Sequence, residues 1–567
     1  MTPGEFGSER RGMRLWELVA LAAGGVLGSG WMTAPGQIGG SLTQSLLTWA
    51  VGCLLMAGYA VVVVELGIAD QRTGGLIFHP LRACGPLVAT VVAGSMWVAY
   101  AINPAVQSLS VANTLSAVAG DRDGKSPLTE AATLGEVLPW LMLAAAIMAG
   151  VFLLTLLPSR QLLMVTVSLT GVKILVLVTV VAAIVARHAD GFSGPSLGAF
   201  SLDGMFTALK AVVPGLISAS VIFSYIGFQA PVDFAGDVQG NQRQVARTIR
   251  AAVYGTVAGS FVLYAAMQVA WSLLVQDKSE TAGGGAPANF VEAVQGTRWL
   301  WVLVVVAAII APLGSAIVFS LALTREVAAL CRAHLVGRGL QTARFSRIRS
   351  SGRYDVYWLI TLVNLGVALL IAIFAIGIGI GAGSSSIRSL HGLNSVSLLL
   401  VYTMSGVVLA VRPGRRVKLL PGAIFVLTAL IVVGTGIGGR EDGGPWAASV
   451  SGHLVGGMIV MSLAALILLA APWLAERDLP VAGRVLGGLD AQNHLSRLGA
   501  WFGDASVPPF VWLVAYLVLL GVCAGLGSIA ESMAAVLLGL ASCGSLMLFG
   551  LLLRSSRKYM DAPDHNS

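Results

Sequence analysis

Three stretches of this apolar chain hold residues whose type and spacing could do chemistry. The first is the run Gly24-Gly25-Val26-Leu27-Gly28-Ser29-Gly30-Trp31-Met32-Thr33-Ala34-Pro35-Gly36. Lipid offers no hydrogen-bond partner, so backbone at membrane depth stays helical or is enclosed by protein. Each glycine weakens a helix by roughly 1 kcal/mol relative to alanine. A cluster of them marks either a close helix contact or a break. Gly24 and Gly28 have the small-xxx-small spacing of packed membrane helices, whereas Ser29-Gly30 and the Pro35-Gly36 pair favour a break. A break frees amides and carbonyls that can hold a carboxylate or a cation.

The second stretch is Ser168-Leu169-Thr170-Gly171-Val172-Lys173-Ile174-Leu175. Lys173 stands about twelve residues into its apolar run, hence ~18 Å deep at 1.5 Å per residue. That is close to the midplane of a ~30 Å hydrocarbon core. An ammonium there is costly, and a low dielectric favours its neutral form, so the group is a candidate proton carrier. The alternative is a structural brace tied to backbone carbonyls. The third stretch, Ser218-Ala219-Ser220-Val221-Ile222-Phe223-Ser224-Tyr225-Ile226-Gly227-Phe228-Gln229-Ala230-Pro231, is again rich in small residues and interrupted by Gly and Pro. Its aromatics read equally as core packing or as a gate. No His, Cys, Asp and Glu residues share metal-ligand spacing, so neither a metal nor a cofactor is expected.

The elements that position these residues follow from composition. The chain has 567 residues, 56% of them hydrophobic and 11% charged, against about 25% charged in typical soluble domains. This is the composition of a polytopic membrane protein. Apolar runs of the ~20 residues that cross a bilayer occur about fourteen times. They lie near 15–39, 42–69, 86–117, 135–157, 162–186, 206–233, 250–275, 298–324, 355–380, 391–411, 419–438, 453–472, 509–529 and 532–553. With both termini placed inside, most Lys and Arg fall in inner loops, as the positive-inside bias requires. The net charge of +8 therefore reads as topology and contact with the anionic inner leaflet. The basic loop 325–353 lacks the aromatic interleaving of a base-stacking surface, so no nucleic acid is expected. The five scattered cysteines read as buried small hydrophobes, and the N-terminal apolar run as a retained first helix.

Spans one and six each open a set of five, and paired broken helices at matching places in two halves point to a transport site. The loop after span two reads Glu65-Leu66 … Arg72-Thr73-Gly74-Gly75 … Leu81-Arg82-Ala83-Cys84-Gly85-Pro86. With the Gly-Ser-Gly of span one, it resembles amino acid permeases of the amino acid–polyamine–organocation superfamily. Their first helix carries "I-G-S-G-I-F … P-G" and their second loop "P-x-x-G-G … F-G-P". The resemblance covers roughly 15–411. It implies an all-α fold with a 5+5 inverted-repeat core, broken helices 1 and 6, and additional C-terminal helices.

The resemblance also implies roles. Gly28, Ser29, Gly30 and Trp31 would meet the carboxylate of a substrate, while Phe223, Tyr225 and Gly227 supply a gate and carbonyls for its ammonium. In proton-dependent members a lysine on the fifth helix takes the place of a bound cation, and Lys173 matches it by helix and depth. Ser315 or Ser320 would hydrogen-bond that lysine, and 283–293 resembles a short external lid. Two departures stand out: Gln229 replaces a common Glu, and Gly236-Asp237 … Asn241-Gln242-Arg243 replaces "G-E … N-P-R".

The expected organisation is a cytoplasmic tail 1–14, a core 15–411 made of repeats 15–186 and 206–411, and helices 11 and 12 over 412–472. A cytoplasmic linker 473–508, a final helix pair 509–553 and a cytoplasmic tail 554–567 complete it. The expected function is secondary transport of an amino acid or related organic amine across the plasma membrane, with protons as coupling ion, and with oligomer contacts through the last two helices. Two rivals fit less well. A membrane enzyme on lipid-linked substrates needs acid–base or metal-ligand groups near one interface, and Glu65, Asp70, His79 and Asp237 lack ligand spacing. A sensor needs an appended soluble domain, for which no segment is long enough. No P-loop sequence is present, so transport would be gradient-driven.

Overall fold

The computed structural model describes residues 13–38, 41–69, 75–119, 134–157, 159–188, 212, 215–217, 219–281, 289–294, 297–332, 348–349, 355–356, 358–382, 386–412, 419–438, 507–529 and 533–561. Helices α1 (Leu15–Val26) and α2 (Gly30–Ile38) form the first span, bent by 48° at the break 27–29. Then come α3 (Leu42–Ala69), the short α4 (Gly75–Cys84), α5 (Pro86–Ala119), α6 (Leu134–Leu154) and α7 (Ser159–His188). The second set opens on another broken span, α8 (Val221–Tyr225) and α9 (Ala230–Asp233), interrupted at 226–229. It continues through α10 (Gln242–Thr281), the one-turn α11 (Phe290–Ala293), α12 (Arg298–Arg332), α13 (Trp358–Ala382) and α14 (Ser386–Val411). Helices α15 (Leu419–Gly438), α16 (Val507–Ile529) and α17 (Ala534–Asp561) follow. The fold is all-α apart from a two-residue ribbon between α12 and α13, where Ile348 pairs with Val356 and Arg349 with Asp355. Five crossings per set bring the sixth span in from the opposite face to the first, which inverts the repeat.

Among the described residues, nine helices are long and apolar enough to cross a membrane, besides the bent first span. Expected spans 355–380 and 419–438 coincide with α13 and α15, whose described apolar stretches are shorter; the other expected spans coincide with one of these helices or broken helices except 453–472. That segment, the linker 473–508 up to 506 and the outer loop 120–129 lie outside the described residues, as do 1–12, the Gly74 turn and most of the basic loop. Burial sorts the helices into layers. In α5 and α14 nearly every side chain is buried, so these two form the axis of the bundle. Helix α7 is an outer helix. It exposes Val172, Leu175 and Val178, while Lys173, one position after Val172, is fully buried on the inward face.

The final pair packs on α15 through aromatic contacts. Phe425 lies 4.1 Å from the Tyr516 ring and 5.3 Å from Phe549, and the Tyr516 hydroxyl donates to the Phe425 carbonyl at 3.1 Å. The cysteines only partly follow expectation: Cys84 and Cys523 are buried and Cys53 half-buried, but Cys543 faces outward. On a lipid-facing helix surface a thiol is as acceptable as any small apolar group.

At one end of the bundle the segment ahead of α1 is tied to the loop after α9. Met13 N–H donates to the Asp237 carbonyl at 2.8 Å, and Gln239 N–H donates to the Met13 carbonyl at 3.2 Å. Arg325 of α12 pairs with the Asp237 carboxylate and lies over the Phe234 ring, 4.1 Å from its centroid.

Candidate functional site

A helix end leaves its last carbonyls without intrahelical donors, and buried carbonyls need partners. At the end of α1 every one is met. Ala23 accepts from Leu27 N–H at 2.9 Å. Lys173 Nζ donates to the Gly24 carbonyl at 2.6 Å and to the Leu27 carbonyl at 2.9 Å. Ser315 Oγ donates to Gly25 at 2.8 Å, and the Tyr264 hydroxyl to Val26 at 2.9 Å. The ammonium thus sits at the negative end of α1's dipole, where a cation is favoured. One turn earlier, Thr170 Oγ1 of the same helix donates to the Ala20 carbonyl at 3.1 Å.

The break itself is shaped around Gln107 of α5. A Cβ on Gly28 would lie 2.5 Å from Gln107 Nε2, so only glycine admits that side chain. Gln107 Oε1 accepts Ser29 N–H at 2.9 Å, which directs its amino group into the break. Gln107 Nε2 is buried with no acceptor on it. The amides of Gly30 and Trp31 then open α2, where helix geometry provides no acceptor.

The sixth span breaks by shape. Ser220 has a left-handed φ of 63° and Gly227 a φ of +127°. A Cβ on Gly227 would lie 2.5 Å from the Gly25 carbonyl carbon, so the two breaks touch glycine to glycine. Gly227 N–H donates to Gln229 Oε1 at 3.0 Å, two residues on. Gln229 is held by the Tyr402 hydroxyl, which donates to Oε1 at 2.8 Å, and by its own Nε2, which donates to the Tyr100 hydroxyl at 3.1 Å. Tyr100 donates in turn to Asp233 Oδ2 at 2.7 Å. Gln229 is therefore a cap for the break, which a carboxylate could not be while also donating to Tyr100.

Two side chains bridge the breaks. Tyr264 lies 2.9 Å from the Val26 carbonyl and 2.7 Å from the Ser224 carbonyl, so its single hydroxyl hydrogen serves both. His391 contacts Ser29 Oγ through Nε2 at 3.4 Å and Ser220 Oγ through Nδ1 at 2.9 Å, with its ring stacked on Phe223 at 3.9 Å.

Of the residues expected at the site, Gly28, Ser29, Gly30, Phe223, Gly227, Lys173 and Ser315 gather around the two breaks. Ser315 does not bond Lys173; it caps the neighbouring carbonyl of Gly25, and its second contact is Asn103 Oδ1 at 3.4 Å. Trp31 turns toward Phe290 of α11, with ring centroids 5.6 Å apart, and Trp271 meets the same phenylalanine at 5.1 Å. Tyr225 points away from the break, donating to the Trp49 carbonyl at 3.1 Å. Gln107, Tyr264 and His391 complete the constellation; neither Tyr264 nor His391 was singled out by sequence. Among the described residues no group of His, Cys, Asp or Glu is placed to hold a metal ion. The arrangement offers donors at one helix start and carbonyls at two helix ends, which suits a molecule carrying both a negative and a positive group.

Residues 13–461 match the family model described as amino acid permease. The chain belongs to the amino acid permease family. The permease is 25% identical over 334 residues to an aspartate-proton symporter of Bacillus subtilis (strain 168), covering 58% of this chain and 61% of that protein. It is 26% identical over 251 residues to an uncharacterized transporter of Mycobacterium tuberculosis (strain ATCC 25618 / H37Rv), covering 43% of this chain and 50% of that one. The permease thus spans between half and two thirds of the length of these curated relatives. A manganese transporter from Eremococcus coleocola aligns with a TM-score of 0.48 at 16% identity, over 82% of the permease and 96% of that chain. Membership makes this a multi-pass membrane permease, not a membrane-embedded enzyme.

Proposed function

We propose that the permease moves an amino acid or related organic amine across the plasma membrane by alternating access, driven by a proton gradient, with both termini cytoplasmic. The observation that carries this reading is the pairing of the two breaks. The amides of Gly30 and Trp31, at the start of α2 where helix geometry supplies no acceptor, and the unpartnered amino group of Gln107 form the carboxylate seat of this reading. Opposite them, the Val26 and Ser224 carbonyls share one Tyr264 hydrogen. A carbonyl has two lone pairs; Val26 uses both, on Tyr264 and on Gly28 N–H at 2.9 Å, so of the two it is the Ser224 carbonyl that has capacity for an ammonium. Ser29, Gly30 and Trp31 are buried, the condition under which unwound backbone is tolerated at membrane depth. The aspartate-proton symporter relative supports both the substrate class and the coupling ion. The charge bias of the loops supports the orientation.

Lys173 is the coupling group in this reading. Its ammonium caps two carbonyls freed by the break, so losing a proton turns two charge-assisted hydrogen bonds into weaker neutral ones. Charge state and helix position are thereby linked.

The test is uptake by proteoliposomes of labelled L-aspartate, L-alanine, L-arginine and putrescine, with and without a pH gradient, in wild type and Lys173→Ala. Wild type is expected to accumulate at least one of these against its gradient. The variant is expected to retain exchange but to lose gradient-driven accumulation by tenfold or more. Equal gradient-driven uptake by both removes Lys173 from coupling. Loss of exchange together with a fall in thermal stability would make it a brace. Absence of flux for the whole panel by monodisperse wild type would overturn the substrate class.

A further inference from the structure

The first turns of α10 carry a basic face that neither break uses. Arg243, Arg247 and Arg250 stand at i, i+4 and i+7, the spacing that puts side chains on one face of a helix. All three are exposed, while Val245, Ile249, Ala252 and Val253 on the opposite face are buried. Arg250 is held by Glu65 of α3, with Nη2 donating to Oε1 at 3.0 Å. Arg243 and Arg247 meet no carboxylate among the described residues, and Asp237, just ahead of α10, is taken by Arg325. The three arginines line a shallow cavity of about 540 Å³, together with Ala246, Ala251 and Tyr254.

The kind of anion that fits follows from the same face farther along. Its next exposed positions after Ala251 are Gly255, Ala258, Gly259 and Val262. A Cβ placed on Gly255 or Gly259 would have nothing within 4 Å, so no neighbouring helix covers this strip. It is a smooth apolar track wide enough for a hydrocarbon chain. Half-buried Tyr254 stands where the basic turns give way to the strip, the interfacial place that amphipathic rings favour. Guanidinium groups grip phosphate through paired N–H bonds. Two of them four positions apart, with Cβ atoms roughly 6 Å from each other, can hold one phosphodiester from both sides. A free phosphate would use the arginines and leave the strip bare. A phospholipid uses both, and the two uncompensated cations favour an anionic headgroup.

We infer that the first turns of α10 form a binding site for an anionic phospholipid, with its phosphate on Arg243 and Arg247 and an acyl chain along the strip from Ala251 to Val262. The orientation proposed above puts this site in the inner leaflet; the binding itself does not depend on the substrate seat. Helix α10 also carries Tyr264, which bridges the two breaks, so a bound lipid steadies the helix that joins them.

Native mass spectrometry of the full-length permease in detergent tests this, titrating dioleoylphosphatidylglycerol against dioleoylphosphatidylcholine, with inorganic phosphate as competitor. Wild type is expected to retain one phosphatidylglycerol in preference to phosphatidylcholine, and to keep it in millimolar phosphate. Arg243→Gln/Arg247→Gln is expected to bind it roughly fivefold more weakly for each arginine removed. Gly255→Leu, which fills the strip, is expected to weaken phosphatidylglycerol as well. Arg557→Gln/Lys558→Gln removes two exposed cations from α17 and is expected to bind like wild type. Unchanged affinity in monodisperse Arg243→Gln/Arg247→Gln, or an equal loss in the α17 pair, overturns the site. Displacement of the lipid by phosphate, with Gly255→Leu binding like wild type, leaves a simple anion site and overturns the lipid. No transported substrate enters the measurement, so its outcome is separate from that of the transport reading.

Discussion

The two breaks at the centre of the permease use similar residues and are closed by opposite means. The first is capped from outside: the carbonyls of Gly24, Gly25, Val26 and Leu27 take donors from three other helices, one of them an ammonium. The second is capped from within, by Gln229 on the Gly227 amide, and is enforced by a backbone angle that residues with a side chain rarely adopt. The first break is thus held by chemistry that a proton can alter, the second by shape that it cannot. An asymmetry of this kind suits a transporter in which one half responds to the coupling ion and the other provides a fixed surface.

The sharpest way to break that contrast is Gly227→Ala. The new Cβ would lie 2.5 Å from both the Gly25 carbonyl carbon and the Val26 nitrogen, at a φ of +127°. Backbone strain of this sort alone costs on the order of 1–3 kcal/mol, and the clash adds to it. Loss of the monodisperse peak in fluorescence-detected gel filtration is expected, and a wild-type peak would show that shape does not hold the second break. Tyr264→Phe comes next. It removes the one hydrogen shared between the halves, leaving the buried Ser224 carbonyl short and the Val26 carbonyl with Gly28 N–H alone, a loss of about 1–3 kcal/mol, read as a lower unfolding midpoint in detergent. An unchanged midpoint would mean the hydroxyl is a passenger. Ser315→Ala should cost least, about 1 kcal/mol, with the pH dependence of uptake unchanged. A shift in that profile resembling that of Lys173→Ala would return Ser315 to the coupling machinery and dissolve its distinction from Lys173.

Much of this was legible before any coordinates. The Gly24–Gly30 cluster announced a break because glycine has so little hold on helical geometry, and Lys173 was conspicuous by depth because membranes tolerate so few charges. The partners were not legible. Gln107 meets Ser29 across 78 positions, Tyr264 meets Val26 across 238, and His391 meets Ser29 across 362. Periodicity tells which face of a helix a residue occupies; it does not tell which helix lies opposite. Ser315 illustrates the gap: its neighbourhood was foreseen correctly, yet it settled on a carbonyl next to those the lysine takes. Tyr225 and Trp31 lie on the two broken spans, but side-chain direction sends one to Trp49 and the other to Phe290.

The short backbone pairing of Met13 with the loop at 237–239 has a mechanical meaning. It hinges the leading end of one kinked rod to the trailing end of the other, so on that side of the membrane the doorway has a single leaf. Any swing that admits water there carries both half-helices at once or tears two peptide links, whereas at the opposite doorway Trp31 and Trp271 are joined through side chains alone, on the ring of Phe290.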